Sequence, residues 1–163
     1  MSPGETLRSR SFWIAILIAF SVGAVGGFLT PLDIWYETLE KPFFQPPDWL
    51  FGPAWTTIFL LSAYVAHRLW VANTAGGSER KQLIVLFSFN AVLNIGWSFL
   101  FFYLQRPDLA LYEAFILWIS VALIMFLACA RVPFTRWLML PYLLWVSFAI
   151  VLNTAIVRLN APF

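Results

Sequence analysis

The chain has 163 residues, 61% of them apolar and 11% charged, with a formal net charge of +2. A soluble domain holds about 45–50% apolar and about 25% charged residues, so an ordinary soluble fold is excluded, and no basic run offers a nucleic-acid surface. One cysteine, Cys129, and one histidine, His67, exclude an internal disulfide and leave metal chemistry without a ligand set.

A bilayer core of about 30 Å is crossed by about 20 apolar residues of helix. Five such stretches fill the chain, at about 12–32, 53–73, 82–104, 109–130 and 135–158. The expected fold is an all-α integral membrane protein, one domain over 1–163, with five transmembrane helices and one long structured loop at about 33–52. The first span follows Arg8 and Arg10 and exceeds the 7–15 residues of a signal-peptide core, so it reads as a retained helix. Its Ala19, Gly23 and Gly27 recur every four residues, a small face for an internal contact or a dimer seam.

The loop that follows contains "KPFFQPPDWLFGPAW", with four prolines and five aromatics between Lys41 and Trp55. Proline fixes φ and lacks a donor, so Pro42, Pro46, Pro47 and Pro53 argue against a continuous helix or a strand interior. Trp35, Tyr36, Phe43, Phe44, Trp49 and Phe51 argue against disorder. A connection this long inside a compact domain reads as a lid. "WYETLEK" is long enough for a short helix before the prolines.

The second span lines up Trp55, Phe59, Ser62, Ala63 and Ala66, and "NTAGGSERKQ" turns the chain into the third. There Asn90, Asn94, Trp97, Ser98 and Phe101 fall on one helical stripe. The short "QRPD" and "RVPFTR" links make spans three to five successive antiparallel neighbours. Glu113 in the fourth span is open to two readings, a proton-linked site or snorkelling to the nearer interface. In the fifth span Tyr142, Trp145, Ala149 and Asn153 form another stripe.

If the three stripes face one another, they enclose an aromatic cavity with a few amide and indole donors under the loop. The simpler readings are that Trp13, Trp35, Trp49, Trp70 and Trp137 anchor the chain at the interfaces, and that Asn90 and Asn94 bridge helices. His67, beside Arg68, reads as interfacial and Cys129 as a packing residue. No nucleophile–base pair or carboxylate dyad stands out. Arg8, Arg10, Arg68, Arg80, Lys81, Arg131 and Arg136 fall on one side of the membrane, and Lys41, Arg106 and Arg158 on the other. This places the N-terminus inside and the loop and C-terminus outside.

The ordered motifs "WYETLEKPFFQPPDWLFGPAWT", "NAVLNIGWSFLFF" and "LPYLLWVSFAIVLNTAIVRLN" resemble the tryptophan-rich sensory protein and translocator protein (TspO) family, also called peripheral-type benzodiazepine receptors. The resemblance covers nearly the whole chain. It implies a five-helix bundle, usually a homodimer among membrane lipids, that binds protoporphyrin IX and related tetrapyrroles under the first loop with no cofactor required. It implies pocket roles for Trp55, Asn94, Trp97, Trp145, Phe148, Ala149 and Asn153, with Phe59 and Asn90 at further positions. Trp35, Lys41, Pro42, Phe44, Pro46, Pro47 and Trp49 then belong to the lid.

Three functions follow from that resemblance. The first is a receptor or translocator that senses, sequesters or transports porphyrin. The second is a light-dependent porphyrin-degrading enzyme with Trp55 and Trp145 as its catalytic residues. The third is a lipid or sterol transporter, disfavoured because "VLNTAIVR" ends in Arg158 but lacks the tyrosine of the L/V-x-Y-x-K/R pattern. The expected location is a bacterial envelope membrane, or the mitochondrial outer membrane in a eukaryote.

Overall fold

The structure, a computed structural model, describes residues 3–73 and 77–163. The centre of the "NTAGGSERKQ" turn, at 74–76, and the Cys129 side chain lie outside the described residues. Among the described residues, five helices are long and apolar enough to cross a membrane. A short α1 (Pro3–Arg8) leads into α2 (Arg10–Phe28), and α3 (Ile34–Thr38) lies in the long loop. Then follow α4 (Phe51–Ala72), α5 (Ser78–Ser98), α6 (Pro107–Arg131) and α7 (Thr135–Asn160). The chain is thus the expected five-helix bundle, and its long helices pack as a closed ring in the order α2, α5, α6, α7, α4.

Two boundaries differ from the sequence expectation. The first span ends at Phe28 rather than near 32, because Pro31 disfavours helical backbone at Thr30. Pro53, expected to hold the loop out of helix, is the third residue of α4. It sits in the first turn, where a backbone N–H has no intrahelical partner to lose.

One local feature gave no sequence signal. α5 runs into a π-helical turn at Phe99–Tyr103, closed by the Leu104 N–H donating to the Phe99 carbonyl at 2.9 Å. The wider turn buries the consecutive side chains of Phe101 and Phe102 together. Such turns occur often at functional sites.

The two halves of the bundle are packed differently. Away from the loop, Ile58, Val65, Leu69, Leu83, Val121, Ile124 and Met139 fill the ring as one apolar core. His67, near the end of α4 away from the loop, is buried, and its Nδ1 lies 2.9 Å from the Ser11 hydroxyl, tying α4 to the start of α2. Trp13, Trp49 and Trp137 are exposed at helix ends, as anchors should be. Toward the loop, Tyr36, Leu39, Phe101, Phe102, Ala110, Leu152 and Ile156 form a second cluster that docks the loop on the bundle.

Candidate ligand-binding cavity

The loop is folded around Tyr36. Asp33 caps α3 by accepting from the Tyr36 N–H at 3.1 Å, a favoured role for aspartate at a helix start. The Tyr36 hydroxyl donates to Asp48 Oδ1 at 2.9 Å and accepts from Gln45 Nε2 at 3.0 Å. The Lys41 ammonium lies 3.9 Å from the centre of its ring, a cation–π contact. Burial first, then the Asp48 carboxylate, push the Tyr36 hydroxyl up to about 12. The far end of the loop is held by Asn160 of α7, whose amide exchanges two hydrogen bonds with the Glu40 backbone at 2.8 and 2.9 Å.

Beneath this loop lies a cavity of about 490 Å³, within the range of small-molecule sites. Trp55 and Phe59 of α4, Asn94 and Trp97 of α5, and Trp145, Ala149 and Asn153 of α7 all line it. The three stripes legible in the sequence therefore converge. The indole of Trp55 stacks on Phe59 at 5.5 Å, Trp97 stacks on Phe101 at 5.0 Å, and Trp145 meets Phe51 edge-on at 5.6 Å. Trp97 Nε1 is buried without a hydrogen-bond partner among the described residues, as is Gln45 Oε1 at the roof. Both atoms are buried behind the lining surface rather than exposed to the cavity.

Two of the expected pocket residues lie elsewhere. Asn90 is one helical turn below the cavity, where Nδ2 donates to Ser120 at 2.8 Å and Oδ1 accepts from the Tyr142 hydroxyl at 3.1 Å. Asn94 Nδ2 donates to the same hydroxyl at 3.0 Å, so a buried polar layer joins α5, α6 and α7 under the cavity floor. Phe148 stands behind the wall, between Trp145 at 5.9 Å and Phe44 at 6.4 Å. Asn153 lines the cavity but also bridges helices. With its amide oriented to satisfy both ends, Nδ2 donates to the Pro107 carbonyl at 3.0 Å and Oδ1 accepts from the Leu111 N–H at 3.1 Å. Glu113 does not snorkel. It is buried, and neither carboxylate oxygen has a partner among the described residues.

The loop residues facing the cavity are Leu32, Tyr36, Gln45, Asp48 and Phe51. Of the expected lid residues, Trp35 packs edge-on against Phe101, Pro42 is buried, Pro46 is half-buried, and Pro47 and Trp49 are exposed. They shape or support the lid rather than line the cavity. Sequence reasoning also missed the contribution of α2. Phe20, Gly23, Ala24, Gly26 and Gly27 complete the wall. A Cβ at Gly23 would meet the Phe59 ring at 3.0 Å, whereas one at Gly27 would meet nothing within 4 Å.

The exposed lining residues are Phe20, Ala24, Gly27, Leu32, Asp48, Gly52 and Thr56. All belong to α2, the loop or the start of α4. The cavity therefore opens sideways between α2 and α4, above the Gly23–Phe59 contact, while α5, α6 and α7 close its back. Asp48 is the only charged residue among the described lining residues.

Comparison with known proteins agrees with this architecture. The profile of the TspO/MBR family matches residues 15–159. The chain is 40% identical to the tryptophan-rich protein TspO of Chlorobaculum tepidum, over 90% of this chain and 94% of the relative. It is 40% identical to the protein of the same name from Archaeoglobus fulgidus, over 90% and 95%. It is 30% identical to the translocator protein of Sus scrofa, over 91% of both. A multi-pass integral membrane bundle with these relatives belongs to the TspO/MBR family, a family of membrane receptor- and translocator-like proteins.

Proposed function

We propose that this protein binds a porphyrin, with protoporphyrin IX as the reference ligand, in the cavity between the lid and the polar layer. The observation that carries the reading is the convergence of Trp55, Trp97 and Trp145 on one cavity with few polar groups. A flat conjugated ring gains most from such walls, through offset and edge-on stacking. The Trp97 indole N–H and the Gln45 amide oxygen, buried and unpaired among the described residues, become a donor and an acceptor for it once those side chains turn toward the ligand.

The charge pattern sets how a porphyrin sits. Burying an unpaired carboxylate is costly, and the described lining offers no cation and one acid. The macrocycle therefore enters first and its propionates stay at the mouth. Lys41, held over the ring of the cavity-lining Tyr36, is the one Lys or Arg in the loop sequence. The excess of basic residues on the other side of the bundle orients the lid outward, with the N-terminus inside. A sideways mouth in the outer leaflet suits an apolar ligand partitioned into the bilayer. The role is sensing or transport of a tetrapyrrole, in a homodimer within an envelope membrane.

Titration with protoporphyrin IX tests the reading. Tryptophan emission is expected to quench saturably at micromolar ligand, and Trp145→Phe to bind more weakly. Quenching that rises linearly without saturation in both proteins would overturn it. The second reading, light-dependent degradation of the porphyrin, is favoured by indoles of Trp55 and Trp145 standing in the cavity wall. Absorbance of the illuminated complex separates the two. Bleaching that Trp55→Phe and Trp145→Phe leave unchanged removes any catalytic role for those indoles.

A further inference from the structure

Two side chains on facing helices of the lid-side half hold polar atoms that nothing uses. Glu113 of α6 is 9% exposed, and neither carboxyl oxygen has a partner among the described residues. Trp97 of α5 lines the cavity with its ring, while its Nε1 is buried and unpaired. The indole nitrogen can only donate, and a carboxyl always keeps an oxygen that accepts.

The register of α5 against α6 sets the two opposite each other. The helices run antiparallel about the turn at Gln105, where φ is 55°. Asn90 and Ser120, each fifteen residues from Gln105, are joined by a hydrogen bond at 2.8 Å. Trp97 and Glu113, each eight residues from it, stand seven residues nearer the turn on their own helices. Seven residues are almost two whole turns, so both side chains return to the same seam, about 10.5 Å nearer the lid. The π-turn begins beyond Trp97, at Phe99, and leaves this register intact. Packing agrees, because Trp97 lies against the apolar cluster that includes Ala110, three residues before Glu113.

The neighbouring donors are committed elsewhere. From α7, the Tyr142 hydroxyl donates to Asn90, and Asn153 is spent on Pro107 and Leu111. From α5, Asn94 Nδ2 donates to Tyr142, and the Ser98 hydroxyl is turned toward Gly26 of α2. On α6 itself, Ser120 donates to the Leu117 carbonyl and Arg106 to Asp108. Packed helices stand about 8–10 Å apart, within the joint reach of a tryptophan and a glutamate, so a change of rotamer joins the pair without moving either helix. Both groups are costly to leave unpaired away from water. We propose that Glu113 is the resting partner of the Trp97 indole, and that an occupant of the cavity binds in competition with it by drawing that N–H to itself. Glu113 is then a positioning residue, touching Trp97 rather than the ligand. The pair stands on the geometry of the seam, whereas its competition with a porphyrin rests on the porphyrin reading.

The nine indole N–H resonances of the empty, 15N-tryptophan-labelled protein test the pair, with Trp97 identified by its loss in Trp97→Phe. Glu113→Leu should move the Trp97 resonance upfield and leave the others in place. Glu113→Gln, which keeps an acceptor oxygen, should hold it near the parent position. In fluorescence titration with protoporphyrin IX, Glu113→Leu should bind roughly fivefold tighter, the effect of one hydrogen bond that no longer has to be broken, and Glu113→Gln close to the parent. A bundle merely loosened by the substitution would bind more weakly instead. A Trp97 resonance unmoved by Glu113→Leu, or moved along with most of the other indoles, would overturn the pair. Unchanged or weaker binding with the resonance moved would overturn the competition. Absence of saturable binding in the parent would overturn the porphyrin reading alone, and the resonance would still decide the pair.

Discussion

Replacing Tyr36 with phenylalanine isolates the lid from the rest of the bundle. The substitution keeps the ring that packs on Phe102 at 5.5 Å and carries the Lys41 contact. It removes only the hydroxyl that joins Gln45 to Asp48. A hydrogen bond to a charged group contributes about 1.5–3 kcal/mol, and a neutral one about 1 kcal/mol. Asp48 is exposed and recovers a water when released, so the net loss falls near the low end, about 1–1.5 kcal/mol. The open lid should then be roughly 5- to 10-fold more populated. Hydrogen exchange of residues 33–50 reads this directly, as faster exchange confined to the loop while α4 to α7 stay protected. The parent adds a pH signature. A tyrosine raised from 10.0 to about 12 by burial and Asp48 contributes stability that is complete below pH 10 and lost as pH rises toward 12. Lid exchange, corrected for its intrinsic pH dependence, should be flat from pH 6 to 9 and climb only above 10. Unchanged loop exchange in Tyr36→Phe, or uniform loosening of all five helices, would refute the assignment of Tyr36 as the latch.

Five further outcomes follow from the same geometry. Trp145→Ala should weaken protoporphyrin binding by about 1–3 kcal/mol, the range measured for aromatic stacking on a flat base, whereas Trp145→Phe should lose only part of that; fluorescence titration distinguishes them. Gly23→Val should lower the melting temperature, because its Cβ starts 3.0 Å from the Phe59 ring and overpacking costs about 1–3 kcal/mol. Gly27→Val should melt near the parent yet slow protoporphyrin association in stopped-flow, since it narrows the mouth. Tyr142→Phe should destabilise the bundle by about 1 kcal/mol, removing the hydroxyl shared by Asn90 and Asn94 while Ser120 still serves Asn90. Alanine at both Pro46 and Pro47 should speed protoporphyrin release without loss of helical circular dichroism, as each proline limits the freedom of the open loop by about 0.4–1 kcal/mol.

The sequence carried the elements and the stripes, because both rest on periodicity. Apolar runs long enough for a bilayer marked all five helices to within a few residues, and i, i+4 spacing placed Asn94, Trp97, Trp145, Ala149 and Asn153 on the faces that line the cavity. What it did not carry depends on distances between elements. Nothing in the pattern distinguished Asn94, which borders the cavity, from Asn90, which is one turn lower and bonded to Ser120. Phe148 follows the stripe residue Trp145 by three positions, yet the loop draws it toward Phe44 and away from the cavity. Tyr36, Gln45 and Asp48 all stand in "WYETLEKPFFQPPD", but no local pattern pairs them. Their partnership spans twelve residues and exists only once the prolines have folded the loop back. The π-turn likewise has no periodic signature in "FLFFY", and it packs against α6.

The division of the bundle into a filled half and a hollow half explains why the lid has to be strong. In a bilayer, helices gain little by hiding apolar surface from one another, and they associate through close packing and hydrogen bonds. The half away from the loop has that packing in full, from Ile58 to Met139. The lid-side half forgoes it over about 490 Å³, and each wall atom facing the cavity lacks the dispersion contacts of a packed interior. It is held in shape by the Asn90–Tyr142–Asn94 layer below, the Asn153 bridge to α6 at the side, and the Tyr36 latch and Asn160 clasp above. A ligand that fills the cavity restores the missing contacts, so it should stabilise the lid-side half selectively. Protoporphyrin at 100 times its dissociation constant should add about 2.7 kcal/mol to the bundle. With porphyrin bound, hydrogen exchange should slow in the loop and at the lid-side ends of α4, α5 and α7, and remain unchanged at the His67–Ser11 contact. Protection spread evenly over both halves would show that the ligand acts by general rigidification, and that the hollow half is not where the binding energy is received.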